Sequence, residues 1–261
     1  MLEQKNACLV LDDGEILRGY GYGSTGISTA ELCFNTSMYG YQEIISDPSY
    51  ADQIIVFTFP HIGNVGVNPD DNESIKPYTN GVITNLKPTT PSNWRRKDSL
   101  DNWLKQNNII GLYGVDTRKL TLRLRDKGAF NGVICHQENC NFDYKEMINL
   151  AREWPGIGGL DLAKKVTCKE NYYWDQGHWI SPGVYNNSEK NKRIVAIDFG
   201  IKKNILRSLS DLGSEIKVVS ASSSFNQIME YNPDGIFLSN GPGDPKATGK
   251  YILPVLKEII E

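Results

Sequence analysis

The spacing of hydrophobic residues divides the chain into parts with different rhythms. At the start, short apolar runs between turn residues predict strands, as at Ala7–Leu11 and 53–59. Two stretches instead show apolar residues at helical spacing behind a capping side chain, and they predict helices beginning at Leu100 and Thr117. We therefore predict a β-rich mixed α/β domain with two helices over residues 1–153. Its other predicted features are strands at 109–115 and 131–135, N-caps at Ser99 and Asp116, and a helix end at Gly128.

The hydrophobic periodicity weakens over residues 154–192. Glycine and proline interrupt this stretch repeatedly, and residues 186–193 are polar throughout. These features predict an inter-domain linker. Four aromatic side chains within it are expected to be packed: Tyr172, Tyr173, Trp174 and Trp179.

From residue 193 onward, apolar runs alternate with helical patterns. The runs at 194–197, 215–219 and 235–239 predict buried strands, and the segments between them predict helices. This alternation favours right-handed βαβ units and a parallel sheet over residues 193–261. Three strands alone would leave an apolar edge with unpaired backbone groups. The predicted helices cover 202–212, 225–231 and 247–260, the last with Pro254 inside it.

Composition narrows the classes of function. The chain of 261 residues is 39% hydrophobic and 23% charged, with a net charge of −3 and a pI of about 5.7. These values favour neither a nucleic acid nor an anionic membrane as partner, and no apolar run is long enough to span a bilayer. Five scattered cysteines and no export signal indicate reduced thiols and a cytoplasmic location.

The strongest candidate for a functional site is the loop after the apolar run that ends at residue 239. From Ser239 to Pro245 it reads Ser-Asn-Gly-Pro-Gly-Asp-Pro. Open α/β sheets bind ligands at the carboxyl ends of their strands. The backbone N–H groups of Gly241 and Gly243 can face a ligand closely and suit an oxyanion or a carboxylate. A plain structural turn is the alternative. A phosphate loop fits poorly, because Lys246 stands where Gly-x-Gly-x-x-Gly needs its third glycine.

Other candidates have simpler explanations. Cys135, His136 and Cys140 offer three zinc ligands without a second pair, so no metal site is expected. A Cys135–His136 dyad is disfavoured because neighbouring strand residues point to opposite faces, even with Glu138 nearby. His61 fits a hydrogen-bonded loop histidine. The basic residues between Arg118 and Lys127 fit a solvated helix face, or alternatively contact with an acidic protein surface.

Several segments together resemble the small, glutamine-hydrolysing chain of carbamoyl-phosphate synthetase, and their order and spacing carry the resemblance. In the first part they are Phe-Asn-Thr-Ser-Met-Tyr-Gly-Tyr-Gln-Glu at 34–43, Ser-Asp-Pro-Ser-Tyr at 46–50, Phe-Pro-His-Ile-Gly-Asn-Val-Gly at 59–66 and Gly-Val-Asp-Thr-Arg-Lys-Leu-Thr at 114–121. In the second part they are Ala-Ile-Asp-Phe-Gly at 196–200, Lys-Asn-Ile-Leu at 203–206, and 232–245.

The resemblance implies that residues 193–261 form part of a flavodoxin-like class I glutamine amidotransferase domain. It also implies a mechanism and partners. In that family a cysteine in Gly-x-Cys-x-Gly attacks the glutamine amide, and a histidine and glutamate in His-Pro-Glu activate it. Ammonia then passes to a large chain, which makes carbamoyl phosphate from bicarbonate and ATP, for pyrimidine synthesis, arginine synthesis or both. Carried over to this sequence, Ser49, Gly241 and Gly243 would bind L-glutamine and stabilise the oxyanion. No cofactor is expected in this chain, since ATP and a divalent cation would act on the large chain.

The sequence departs from the family pattern in one respect. Neither Gly-x-Cys-x-Gly nor His-Pro-Glu occurs in the 261 residues, and Cys168 lacks elbow glycines. In the family the elbow follows the helix that here reaches Glu261, so the chain is expected to end before its nucleophile. We therefore expect no catalytic residue and negligible glutaminase activity from this polypeptide alone.

Two alternatives remain open. The chain could be a non-catalytic docking or relic subunit of an ammonia-dependent synthetase, and the DNA after codon 261 would separate that reading from an incomplete small chain. A stand-alone nucleotide-binding α/β protein is the third hypothesis. The loop argues against it because it contains neither a complete Gly-x-Gly-x-x-Gly nor a Walker-type Gly-Lys-Ser/Thr motif.

Overall fold

The computed structural model describes residues 4–261, and they form two compact units. The first unit contains residues 4–46, 52–72 and 76–157, and the second contains 47–51, 73–75 and 158–261. Two short segments from the early sequence therefore group by their contacts with the second unit. No helix within 4–261 is long and apolar enough to cross a membrane.

The first unit is built on a closed barrel of seven strands in the order β1-β2-β6-β5-β4-β3-β7. Strands β3 to β6 pair in parallel, and the pairings that involve β1, β2 and β7 with their neighbours are antiparallel. Closure removes the exposed edges that an open sheet would have. The strands are β1 (Ala7–Leu11), β2 (Ile16–Gly23), β3 (Gly26–Asn35), β4 (Gln53–Phe57), β5 (Gly81–Thr84), β6 (Ile110–Tyr113) and β7 (Asn131–His136).

Alternation along β1 and β7 separates two hydrophobic clusters. Leu9 and Ile134 belong to a cluster that takes side chains from β1, β3, β4, β5, β6 and β7. Cys8 and Cys135, one residue along, belong to a second cluster that packs under a helix over Tyr144–Glu153. Successive strand residues face opposite sides, which is why both faces of these strands are apolar and buried.

Four helices surround the barrel, although the sequence predicts two. The two predicted helices are confirmed, including their caps: Ser99 accepts from the Asn102 N–H, Asp116 accepts from the Lys119 N–H, and Gly128 ends its helix at φ 86°. Of the other two, the helix Tyr41–Ser46 has only six residues and gives a weak pattern. The helix Tyr144–Glu153 has an N-cap at Asp143 and buried apolar residues at helical spacing, and this signal was missed. The helices are α1 (Tyr41–Ser46), α2 (Leu100–Gln106), α3 (Thr117–Lys127) and α4 (Tyr144–Glu153).

The second unit contains the predicted parallel strands in one sheet. β11 lies between β12 and β13 and pairs in parallel with both, which confirms the βαβ reading of this part. The strands are β11 (Lys192–Asp198), β12 (Ser214–Ser220) and β13 (Gly235–Leu238), and the helices are α6 (Lys203–Asp211), α7 (Phe225–Met229) and α8 (Pro245–Ile260). The remaining elements are α5 (Ala163–Val166), β8 (Tyr172–Trp174), β9 (Trp179–Ser181) and β10 (Val184–Tyr185).

The structure differs from the sequence-based expectation over the stretch predicted as a linker. There β8 pairs antiparallel with β12, so the sheet has four strands in the order β13-β11-β12-β8. This pairing satisfies backbone groups of β12 that would otherwise form an open edge. Tyr173 also lies under the Lys217 ammonium, 3.9 Å from the ring centroid. A run of three aromatic residues favours a strand. This strand was not predicted because three residues are too few to show a period-2 hydrophobic pattern.

Candidate functional site

The Gly-Pro-Gly loop connects β13 to α8 at the carboxyl end of the parallel strands. Ser239 fixes its start: its N–H donates to the Ile197 carbonyl at 3.1 Å, and its Oγ accepts from the Phe199 N–H at 2.8 Å. Asp244 fixes its end by accepting from the Lys246 N–H at 2.8 Å as the N-cap of α8. The loop therefore occupies the edge where open α/β sheets place ligands.

Both glycines of this loop are required by close packing. A Cβ on Gly241 would lie 2.2 Å from the Phe199 carbonyl oxygen. Gly243 has φ +87°, and a Cβ there would lie 2.6 Å from the Leu160 carbonyl oxygen. These contacts explain the glycines without a ligand, so packing alone does not separate the structural turn from a binding loop.

The backbone donors of the two glycines favour a binding loop. Across residues 4–261, the N–H groups of Gly241 and Gly243 have no hydrogen-bond acceptor, whereas the N–H groups of Ser239 and Asp244 on either side do. Gly241 is exposed and Gly243 is half-buried, so a ligand or water can reach this part of the loop. Two open, fixed, neutral donors at one loop suit a carboxylate or a developing oxyanion.

Ser49 lies beside this loop, although it comes from an early part of the sequence. It sits in a 3₁₀ turn over Pro48–Tyr50 that Asp47 caps by accepting from the Ser49 N–H at 2.8 Å. The Asn240 Nδ2 group donates to the Ser49 Oγ at 2.8 Å. Asp47 also pairs with Lys202 at 3.5 Å. The structure thus brings all three predicted site residues together within the second unit.

Asp198 organises the backbone next to the loop. It is the last residue of β11, and only 5% of its surface is exposed. Its carboxylate accepts from the N–H groups of Gly200 at 2.8 Å, Ile201 at 2.7 Å and Cys168 at 2.7 Å. Sequence reasoning missed this residue, and the available signal was an acidic side chain directly after a buried apolar run.

Cys168 has the wrong environment for a nucleophile. Burial, together with the neighbouring Asp198 carboxylate, raises the pKa of its thiol to about 12. The thiolate is the reactive form, so at neutral pH this cysteine stays protonated. The structure gives Cys168 a place in the packing of the second unit, against Ala196 and its neighbours.

Two family models match the chain. Carbamoyl-phosphate synthase small chain, CPSase domain, matches residues 9–134, and glutamine amidotransferase class-I matches residues 195–261. The carbamoyl phosphate synthase small chain of Ruegeria pomeroyi is 48% identical over 261 residues, covering 100% of this chain and 67% of that protein. The chain belongs to the carbamoyl-phosphate synthase small chain family.

Further relatives agree. The small chain of Bradyrhizobium diazoefficiens is 49% identical over 98% of this chain and 66% of that protein, and that of Zymomonas mobilis is 48% identical over 97% and 68%. The chain thus spans about two thirds of the length of these small chains. Ser49 lies in the first matched region and both loop glycines in the second, while Cys168 lies in neither.

A buried glutamate joins the second unit from another early segment of this small chain. Glu73 is 7% exposed; its carboxylate accepts from the Asn204 N–H at 2.9 Å, and its carbonyl accepts from the Lys203 N–H at 3.0 Å. These bonds cap the first turn of α6. Burial raises the pKa of Glu73 above its ordinary value, which the Asn204 N–H and the nearby Arg207 only partly offset.

The raised pKa of Glu73 predicts a pH-dependent stability. The unfolded chain releases this proton near its ordinary pKa of 4.5, whereas the folded protein holds it to higher pH. Raising the pH through that window therefore favours unfolding. We expect wild type to lose stability relative to Glu73→Gln as the pH rises, measured by urea unfolding from about pH 4 to about pH 8. Parallel curves for the two proteins would contradict this assignment.

The other sequence candidates have ordinary structural roles. The His136 ring bonds to the Ser24 carbonyl at 3.0 Å and to Asn6 Nδ2 at 3.2 Å, while Cys135 packs beside Cys8 on the other face of β7. His61 meets the ring of Phe59 edge-on, and its side chain has no hydrogen bond within the described residues, so the prediction of a hydrogen-bonded loop histidine is not met. In the part of the chain that the structure describes, no three His, Cys, Asp or Glu side chains come together to hold a metal ion.

The basic face of α3 is largely neutralised within the first unit. Arg123 pairs with Asp13 and Glu15, and Lys119 pairs with Glu15 at 3.1 Å. The Arg123 guanidinium also stacks over the Phe130 ring at 4.7 Å. These pairs fit the simpler reading of a partly solvated helix face.

Proposed function

We propose that this chain provides the glutamine-binding cradle of the small subunit of carbamoyl phosphate synthase, with Ser49, Gly241 and Gly243 as its ligand contacts. The observation that carries the proposal is a loop with two open glycine N–H donors, in which Asn240 bonds to the Ser49 hydroxyl, in a chain of this family. Glutamine offers a carboxylate and an amide carbonyl that need such donors.

The cradle would act by fixed electrostatics. Negative charge develops on the amide oxygen when a nucleophile attacks glutamine, and rigid backbone donors stabilise that charge without reorganising. The contacts that close-pack Gly241 against Phe199 and Gly243 against Leu160 keep these donors in place. The structural and ligand-binding readings of the glycines are therefore compatible.

The partners follow from the same proposal. Ammonia from L-glutamine would serve a large synthetase chain, in a heterodimer or a higher assembly, for carbamoyl phosphate synthesis from bicarbonate. ATP and a divalent cation would act on the large chain, and this chain would carry no cofactor of its own.

One observation favours a second candidate function, that of a non-catalytic docking subunit in an ammonia-dependent synthetase. Burial and the Asp198 carboxylate raise the pKa of the Cys168 thiol to about 12, so this cysteine stays protonated at neutral pH. A docking subunit would need the first unit and its surface but would not need the cradle to bind glutamine.

Co-purification with a large chain followed by a comparison of nitrogen donors tests both candidates. The proposal expects a stable complex that makes carbamoyl phosphate from ammonium, gains little from glutamine, and nevertheless binds glutamine at equilibrium. A complex that forms but binds no glutamine would favour the docking subunit. Failure to form a complex would contradict both candidates.

A further inference from the structure

We propose that Asn240 is a positioning residue: it fixes the Ser49 hydroxyl so that its hydrogen points to the carboxylate of bound glutamine. The inference rests on the proposed glutamine-binding function and adds a residue to it. Asn240 precedes Gly241 directly and lies within 3 Å of Ser49, so it links the two halves of the cradle.

The orientation of the Asn240 amide follows from its partners. Its Nδ2 group lies 2.9 Å from the Gly200 carbonyl oxygen and 2.8 Å from the Ser49 Oγ. A carbonyl oxygen only accepts, so the atom facing Gly200 must be the amide nitrogen. The same nitrogen then donates its second hydrogen to Ser49. The amide oxygen cannot take this place, because it would face another acceptor.

This orientation determines what Ser49 can do. A serine hydroxyl has one hydrogen to donate, and here its oxygen already accepts from Asn240. Within the described residues, that hydrogen has no acceptor. Ser49 is half-buried, so part of the residue is accessible to solvent. A free O–H donor favours an anionic acceptor, and the carboxylate is the anionic group of glutamine.

The amide oxygen of Asn240 supports a role beyond packing. Its Oδ1 atom is buried and has no hydrogen-bond partner among residues 4–261. An unpaired buried amide oxygen is unfavourable, and a residue that served only as a scaffold would be better replaced by one without it. The arrangement keeps both donors of the amide in use, one on Gly200 and one on Ser49.

The hydrogen-bond pattern also separates this role from that of the neighbouring residues. Ser239 and Asp198 bond to backbone groups only, so they shape the loop. Asn240 alone among these three residues bonds to a side chain of the cradle. Its loss should therefore change how the ligand's carboxylate is bound, as well as how the loop is held.

The test compares two ligands by calorimetry on the full chain: L-glutamine, and its α-carboxamide analogue, which lacks the negative charge. Wild type should bind L-glutamine more tightly. Ser49→Ala and Asn240→Ala should each lower this preference by roughly tenfold, the loss expected for a hydrogen bond to a charged group. The double variant should lose no more than either single variant, because both changes remove one interaction. Exposed Asn226 on α7 provides the control, and Asn226→Ala should leave the preference unchanged.

Each other outcome has a definite meaning. If Asn240→Ala lowers the affinity for both ligands by the same factor, Asn240 is structural, and the inference is overturned while glutamine binding stands. The same conclusion follows if the loss of preference in the double variant equals the product of the two single-variant losses. If wild type binds neither ligand, the proposed function fails and the inference fails with it. Asn240→Leu, which is nearly the same size but can neither donate nor carry a charge, replaces the alanine variant if that protein does not fold, and the same loss of preference is expected.

Discussion

Replacement of Asp198 by alanine is expected to lower the free energy of unfolding of the second unit by about 3–4 kcal/mol. The carboxylate accepts from three backbone N–H groups, on Gly200, Ile201 and Cys168, and it is almost fully buried. Alanine would leave these donors without an acceptor. The turn at Gly200, whose carbonyl oxygen accepts a hydrogen bond from Asn240, should also become more disordered.

Asp234 provides a matched control for this experiment. Its carboxylate also accepts from a backbone N–H, that of Arg193 at 2.8 Å, but its side chain is 42% exposed. Asp234→Ala should cost no more than about 1 kcal/mol, because water can replace the lost bond. Urea unfolding of both variants measures the difference. Equal losses would show that Asp198 does not organise the turn.

The second large effect concerns catalysis. A purified polypeptide of these 261 residues is expected to release ammonia from L-glutamine at least roughly 10⁴-fold more slowly than an enzyme with a complete nucleophile, base and orienting group. Four of its five cysteines are poorly suited to the task. The pKa of Cys168 is raised to about 12 by burial and Asp198, and burial also raises the pKa of Cys33 to about 12. Cys8 and Cys135 are fully buried in the first unit.

An ammonia-release assay on the partner-free protein checks this prediction. The small residual rate should be the same in wild type and in Cys168→Ala, because a protonated thiol contributes little as a nucleophile. Near-normal turnover that disappears in Cys168→Ala would contradict the account of this cysteine. Near-normal turnover in both proteins would show that another residue of the chain performs the attack.

Much of the local structure could be predicted because it depends on neighbours in sequence. The caps at Ser99 and Asp116 and the helix end at Gly128 are local hydrogen-bonding and backbone effects, and all three are confirmed. The parallel pairing of β11 with β12 and β13 followed from alternating strands and helices. Barrel closure did not follow, because it depends on β1 and β3 both pairing with β7 over long sequence distances.

The candidate site shows the same division. Gly241 and Gly243 stand out in sequence, since a glycine-rich loop after a strand is a local signal. Ser49 could be named only through a resemblance, because its place beside Asn240 depends on a contact 191 residues apart in the chain. Glu73 gave no signal, since its role as a cap on α6 depends on a contact 131 residues apart. Contacts of this kind are set by tertiary packing rather than by propensity.

Binding of glutamine at the loop is the central claim, and the amide signals of Gly241 and Gly243 test it most directly. Protein labelled with ¹⁵N-glycine should show both signals shifting in a saturable way as L-glutamine is added. Glycines outside this loop, such as Gly128 and Gly183, should stay in place, and D-glutamine should have a much smaller effect. Signals of Gly241 and Gly243 that remain unmoved at saturating L-glutamine would contradict the account.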